Sequence, residues 1–186
     1  RMLLDDAHLR YLHDLLETRV FTAAAAQWRA WRQMRFDPGV LALRVPERLL
    51  DMDRLPDTIR SLLRRHRMPP GALSIELPGA ALVREHDNVL SNLQALRALG
   101  VGVTLGDLGT GRSLLEQLQG LPLDALKLDS ALVGGLVRDR AATALAKAAC
   151  SLARGLQVRL IADGVETVAQ LRLLARHGCD EFQGPV

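Results

Sequence analysis

Short runs of aliphatic and β-branched residues recur along this chain, each separated from the next by a longer stretch with helical spacing. VLALRV at 40–45, ALSIEL at 72–77, VGVTL at 101–105, DALKL at 124–128 and VRLIA at 158–162 read as buried strands, and CDEFQG from residue 179 opens a sixth. Helical patterns lie around them: a first helix over 7–34, then 53–65, a face formed by Val89, Leu90, Leu93 and Leu96, and helices over 113–119, 141–154 and up to Gly178. Pro69, Pro70 and Gly71 break the second unit, Gly100 fits the left-handed position after a helix, and Thr167 with Gln170 makes a capping box. Strands alternating with helices of this length form βαβ units, which build a parallel sheet. Repeated right-handed crossovers leave two solutions, a doubly wound sheet or a (β/α)8 barrel. No GxGxxG follows the first strand, so the dinucleotide-binding form of the open sheet lacks its usual support. The expected class is therefore α/β with a TIM-like (β/α)8 barrel. Six strands are too few to close eight, so the first and last strands are expected to lie outside this chain.

Composition narrows the class of protein. The chain has 186 residues, 48% hydrophobic and 24% charged, which suits one globular domain over 1–186. Its abrupt start, RMLLDDAHLR, is broken by acids before any apolar core forms, so it is no signal peptide and reads as a piece of a longer multidomain protein. No apolar run approaches the ~18 residues of a membrane span, so no direct membrane insertion by this domain is expected. Net charge is +3, but the arginines are scattered among acids and aromatics are only 3%. Without a basic run or a stacking platform, DNA and RNA are not expected partners. Cys150 falls on an apolar helix stripe and Cys179 in a turn, with no CxxC spacing. That fits a reducing cytoplasm, either for a free protein or for the cytoplasmic part of a membrane-anchored one, better than a disulfide scaffold or a zinc site.

Chemistry in a barrel sits at the carboxyl ends of the strands. Those positions hold Arg44, Glu76, Asp107, Lys127 with Asp129, Asp163 with Glu166, and Gln183. Caps and turns account for one or two such residues, but not for a polar group on every strand. Glu76 lies inside an apolar run and needs a partner when buried, either a metal ion or Arg44 in an ion pair. Lys127 is one of two lysines in an arginine-rich chain, at a place where a compact ammonium suits better than a guanidinium fork. Gly109-Thr110-Gly111 fits a tight turn opening a helix, a lone GxG being poor evidence for a phosphate loop, and Asp163-Gly164 is a common turn pair.

The segments LSIELPG, GVGVTLGDLGTGRSLLEQLQGLPLDALKLD, LIADGVETVAQLRLL and GCDEFQG, in this order, resemble the EAL domain. The resemblance is strongest over 73–184 and runs collinearly back through Trp31. It implies a (β/α)8-type barrel and hydrolysis of cyclic di-GMP, in which two Mg²⁺ or Mn²⁺ ions polarise the phosphodiester and generate a hydroxide. Glu76 matches the metal glutamate of the family's ElTE motif, and Gly79 replaces the second glutamate. Arg44 replaces an asparagine on the preceding strand. The family's DDFGTG is here GDLGTG, so Gly106 stands where the first metal-binding aspartate belongs and Asp107 keeps the second. Lys127 and Asp129 preserve a KxD pair, Asp163 shortens the glutamate of EGVE while Glu166 is kept, and Gln183 with Gly184 matches QG. The strand bearing the EAL signature falls upstream of Arg1.

A lost ligand at Gly106 and a fixed cation at Arg44 set two dications against Coulomb repulsion of several kcal/mol at moderate dielectric. The resemblance therefore implies a degenerate, non-catalytic domain. No metal is expected at Arg44, Glu76, Gly106 and Asp107, and Mg²⁺ or Mn²⁺ matters only if the site is still active. Glu76, Asp107, Lys127 and Asp163 are expected as vestiges of catalysis. Arg44, Asp129, Asp163, Gln183 and Gly184 are expected to bind cyclic di-GMP, Arg44 neutralising phosphate where a metal is lost. Such a receptor would pass its signal to a downstream or intramolecular protein partner and could form a homodimer, as family members often do. The alternatives are an interaction module that binds no nucleotide and an active phosphodiesterase.

Overall fold

The computed structural model describes residues 6–79, 87–108, 118 and 120–186, with the side chains of 6–18, 48 and 87 outside that description. Six strands form one sheet: β1 (Leu41–Arg44), β2 (Leu73–Leu77), β3 (Gly102–Leu108), β4 (Ala125–Leu128), β5 (Arg159–Ala162) and β6 (Glu181–Phe182). They pair in chain order, β1 to β6, and every pairing is parallel. A doubly wound sheet reverses its strand order at a switch point. This one never does, which decides between the two windings in favour of the barrel type. Seven helices are described: α1 (Asp6–Gln33), α2 (Glu47–Leu50), α3 (Leu55–His66), α4 (Asp87–Ala98), α5 (Ser130–Gly135), α6 (Arg140–Leu156) and α7 (Val168–His177).

Strand register explains how the sheet divides into two faces. Successive side chains on a strand point to opposite faces, and register partners share one. Leu43, Ile75 and Val103 therefore form one apolar row, and Leu77, Leu105, Leu126 and Leu160 another. All seven are buried in the core with residues of the helices, among them Ile59, Leu93, Leu96, Ala146 and Leu174. Each large side chain removed from water in this way contributes about 1.5–3 kcal/mol. The opposite face carries the small and polar residues, including the buried Ser74–Thr104 hydroxyl pair at 3.0 Å. The fold is thus held by its leucine face, leaving the other free to carry charge.

Helix ends follow the local chemistry. Pro56 sits in the first turn of α3, and Leu55, Ile59, Leu62, Leu63 and His66 give it one buried stripe. Gly100 takes φ +84° after α4, and Gly178 takes φ +87° after α7. The Thr167–Gln170 capping box forms in full. Cys150 and Cys179 are free and buried, and Cys179 is packed into the interior, its thiol donating to the carbonyls of Leu160 and Glu181. Among the described residues, no helix is long and apolar enough to cross a membrane.

Several boundaries differ from the sequence reading. Leu90 is 44% exposed and does not share the buried face of Val89, Leu93 and Leu96; α4 docks through a narrower stripe, completed by buried Asn92, whose amide donates to the carbonyls of Leu50 and Met52. β3 runs on to Leu108 and so includes Gly106 and Asp107 as strand residues. α2 and α5 were not anticipated. The expected helix over 113–119, apart from Leu118, and the Gly109-Thr110-Gly111 turn lie outside the described residues.

Candidate functional site

The carboxyl ends of five successive strands bring one chain of charges together. Arg44 ends β1 and is the register partner of Glu76 on β2. Its guanidinium lies 3.7 Å from Oε1 of Glu76 and donates to Oδ2 of Asp107 on β3 at 2.6 Å. Oε2 of Glu76 accepts from Nζ of Lys127 on β4 at 3.1 Å. The same ammonium reaches Oδ2 of Asp163, just past β5, at 3.2 Å. The order is Asp107–Arg44–Glu76–Lys127–Asp163. Three carboxylates against two cations leave one formal negative charge.

Burial grades this chain. The Glu76 and Lys127 side chains are 10% and 13% exposed, Asp163 is 43% and Arg44 is 56% exposed. Burial alone would push the Lys127 ammonium below its ordinary value. The hydrogen bonds and charges of Glu76, then of Asp163, outweigh it and hold the ammonium above that value. The sequence left Glu76 a choice between a metal and Arg44; its nearer cation is Lys127.

A bulge aims Asp107. β3 and β4 pair Leu105 with Leu126 and next Leu108 with Leu128, three steps on one strand against two on the other. The extra residue falls at Gly106–Asp107, and bulges re-aim side chains in this way. Asp107 takes φ +58°, a left-handed conformation that costs a non-glycine residue of order 1–2 kcal/mol. In return its carboxylate meets Arg44 from two strands away. Gly106 lies directly against the buried acid: a Cβ there would sit 3.1 Å from Oε1 of Glu76. A carboxylate at residue 106 would therefore stand beside that of Glu76, as an arrangement for shared cations requires.

The remaining strand-end residues have other contacts. Oδ1 of Asp129 accepts from Ala131 N at 2.8 Å, capping α5. Glu166 is exposed, and its backbone N–H donates to Gln170 Oε1. The Gln183 side chain is exposed, while its backbone accepts from Val165 N and donates to Ala162 O, both at 2.8 Å. Gly184, at φ +154°, packs so tightly that a Cβ would fall 2.1 Å from the Val165 carbonyl oxygen. Gly184 thus lets the chain after β6 pack directly on Val165, with Gln183 bonded to Ala162, the last residue of β5.

A family model described as the EAL domain matches residues 3–186. The chain belongs to the EAL domain family. It is 34% identical over 165 residues to the bifunctional diguanylate cyclase/cyclic di-GMP phosphodiesterase MucR of Pseudomonas aeruginosa, an alignment covering 89% of this chain and 24% of MucR. Its structure matches the PaMucR phosphodiesterase in complex with c-di-GMP with a TM-score of 0.88 at 32% identity, covering 96% of this chain and 72% of that one. The EAL domain of Mycobacterium smegmatis DcpA matches with a TM-score of 0.86 at 30% identity, over 93% of this chain and 78% of that one. The chain spans about a fifth to a quarter of the length of the curated relatives it matches, 21% and 24% for two of them.

EAL enzymes are expected to hold a pair of hard dications, which take several carboxylate or amide oxygens each. Among the described residues, the donors at these strand ends do not make up the oxygen set such a pair takes. Gly106 brings no side-chain oxygen, and the Arg44 guanidinium bonds Asp107 and lies 3.7 Å from Glu76, which also accepts from Lys127. Among the described residues, no group of three or more His, Cys, Asp or Glu side chains is arranged to hold a metal ion.

Proposed function

We propose that this EAL domain is a receptor that binds cyclic di-GMP and does not hydrolyse it. The observation that carries this reading is Arg44, whose guanidinium reaches both Asp107 and Glu76 beside the glycine at residue 106. A guanidinium can neutralise a phosphodiester and grip two of its oxygens, but it cannot generate a hydroxide as a bound metal does. Arg44 is also the cation free to turn toward a ligand, being more than half exposed. Moving it from Asp107 to a phosphate exchanges one charge-assisted hydrogen bond for another and returns a partly exposed carboxylate to water. On this reading Asp163 and Gln183, just past the ends of β5 and β6, meet a guanine edge. Metal is not needed for binding on this reading, and the output is an interaction with another protein or domain.

The test is calorimetry with cyclic di-GMP in EDTA, paired with a turnover assay in Mn²⁺. Saturable heat in EDTA without linear dinucleotide in Mn²⁺ is the expected result. No heat at high micromolar ligand would sink the receptor reading and leave an interaction module. Linear dinucleotide in Mn²⁺ would make the domain a phosphodiesterase.

A further inference from the structure

The end of α1 leaves a cluster of large apolar side chains in water. Trp31, Met34 and Phe36 are all exposed, Met34 by 74% and Phe36 by 59%, and so is Val40 just before β1. The turn that closes the helix builds this cluster. Phe36 N–H donates to the Trp31 carbonyl at 3.0 Å and Arg35 N–H to the Arg32 carbonyl at 3.1 Å, the paired bonds that end a helix through a left-handed residue. The rings of Trp31 and Phe36 then meet edge to face, 6.3 Å between centroids. That contact fixes the turn without covering either ring. The chain has only two tryptophans and three phenylalanines, so one of each on an exposed helix end is more than scattered surface background, and clustered apolar side chains with a polar rim mark an interaction surface.

The rim is basic. Arg35 takes φ +61° at the left-handed position, where glycine is usual. Arg29 and Arg32 come from α1 and Arg67 follows α3, and these three line one recess together with Val40. Asp37 is the one carboxylate lining it, and it accepts from Arg32 at 3.2 Å. Four arginines against one aspartate leave three positive charges around the apolar cluster. The helix dipole favours cations at a C-terminus, which accounts for arginines there but not for exposed tryptophan, methionine and phenylalanine among them. A protein partner would have to meet those charges with carboxylates at fixed positions. The surface of an anionic bilayer offers phosphate on every side of an apolar interior, and planar guanidinium forks suit phosphate oxygens. Tryptophan, with an apolar body and one N–H, is favoured at such a boundary.

We propose that the end of α1 rests on an anionic phospholipid bilayer, with Trp31, Met34 and Phe36 entering the headgroup boundary and Arg29, Arg35 and Arg67 meeting lipid phosphates. This is a peripheral contact, not a span. It lies at the amino end of β1, so the charged site at the carboxyl end of that strand faces away from the lipid. The contact does not depend on cyclic di-GMP.

Trp28 is buried, so Trp31 is the tryptophan whose emission a bilayer changes. With vesicles of equimolar phosphatidylcholine and phosphatidylserine, the domain should co-sediment and its emission should move to the blue. Each basic residue near an anionic surface contributes about fivefold, so vesicles of phosphatidylcholine alone should bind on the order of a hundredfold more weakly. Met34→Ser and Arg67→Gln, both at exposed positions, should each weaken binding about fivefold or more. Arg138→Gln removes the same charge from the exposed loop between α5 and α6 and should leave binding unchanged. No co-sedimentation with the phosphatidylserine vesicles overturns the proposal and gives the cluster to an acidic protein surface. A loss with Arg138→Gln equal to that with Arg67→Gln overturns it in favour of net charge alone, and binding indifferent to Met34→Ser combined with Phe36→Ser overturns the apolar contact.

Discussion

Two cations divide one buried carboxylate at the rim of this sheet, and they are not equivalent. Lys127 reaches Glu76 from β4 and is almost enclosed; Arg44 reaches it from β1 and is more than half exposed. Each also holds a second acid, Asp163 for the lysine and Asp107 for the arginine. An exposed ion pair is worth ~0–1 kcal/mol, whereas removing one partner of a buried pair costs about 3–5 kcal/mol. The lysine half is therefore structural and the arginine half available. The difference lies in burial, since both halves have the same pattern of one cation between two acids.

The strongest way to break that contrast is Lys127→Met. It leaves Glu76 enclosed with only the longer Arg44 contact, and a loss of about 3 kcal/mol is expected, toward the low end for a broken buried pair because Arg44 remains. Urea unfolding measures it; a loss below ~1 kcal/mol would show that Glu76 is not held by the lysine. Gly106→Asp should follow in size. Its carboxylate would stand beside Glu76, where two like charges ~4 Å apart repel by up to about 4 kcal/mol at an effective dielectric near 20, reduced by Arg44 to about half. Combined with Arg44→Asn, it should give a domain whose melting temperature rises on adding Mn²⁺, while the native domain shows no such rise. A Mn²⁺ stabilisation of the native domain equal to that of the double variant would undo the reading of residue 106.

Arg44→Ala tests the available half. Stability should fall by no more than about 1 kcal/mol, as for other exposed pairs. Cyclic di-GMP affinity should fall by roughly ten- to hundredfold, the effect of one charged hydrogen bond to phosphate. Calorimetry and urea unfolding on the same preparation separate the two quantities. Unchanged affinity would move the ligand contact away from Arg44 altogether.

Much of this was readable in the chain because strand geometry is so regular. A period of two and the alternation of strands with helices fix which residues fall at each strand's carboxyl end, so Arg44, Glu76, Asp107, Lys127 and Asp163 are legible as one polar series. Their pairing is not. Lys127 and Glu76 sit on β4 and β2, which are not neighbours, and only the length of a lysine stem joins them. The bulge at Gly106–Asp107 is a one-residue change of register, and nothing but a glycine marks it in the sequence. Asp129 carries two roles that the sequence does not separate: the KxD pair of the EAL resemblance implies a ligand contact, while an aspartate before a short helix is also an ordinary N-cap, and its carboxylate caps α5. Leu90 fits the helical period as well as its neighbours do, but which stripe is buried depends on how α4 docks. α2 and α5, at four and six residues, are too short to show a period.

The smallest expected effect uses pH to separate the two cations without mutation. Lys127 titrates above its ordinary value in the folded protein because Glu76 and Asp163 favour its charged form over the desolvation that opposes it. A group raised on folding contributes stability that is complete below the unfolded value, near 10.4 for lysine, and that disappears as pH rises through the folded value. From pH 6 to 9 the contribution of the lysine half should therefore be flat. Above about pH 10.4 the unfolded chain loses its lysine proton first, and stability should decline. Arg44 keeps its charge throughout this range, so the Arg44–Asp107 bond should persist. The measurable quantity is the difference in urea midpoint between the native domain and Lys127→Met, which should hold steady to pH 9 and narrow beyond about 10.4. A gap that narrows already between pH 6 and 9 would mean that Lys127 titrates low, and that desolvation outweighs its two carboxylates.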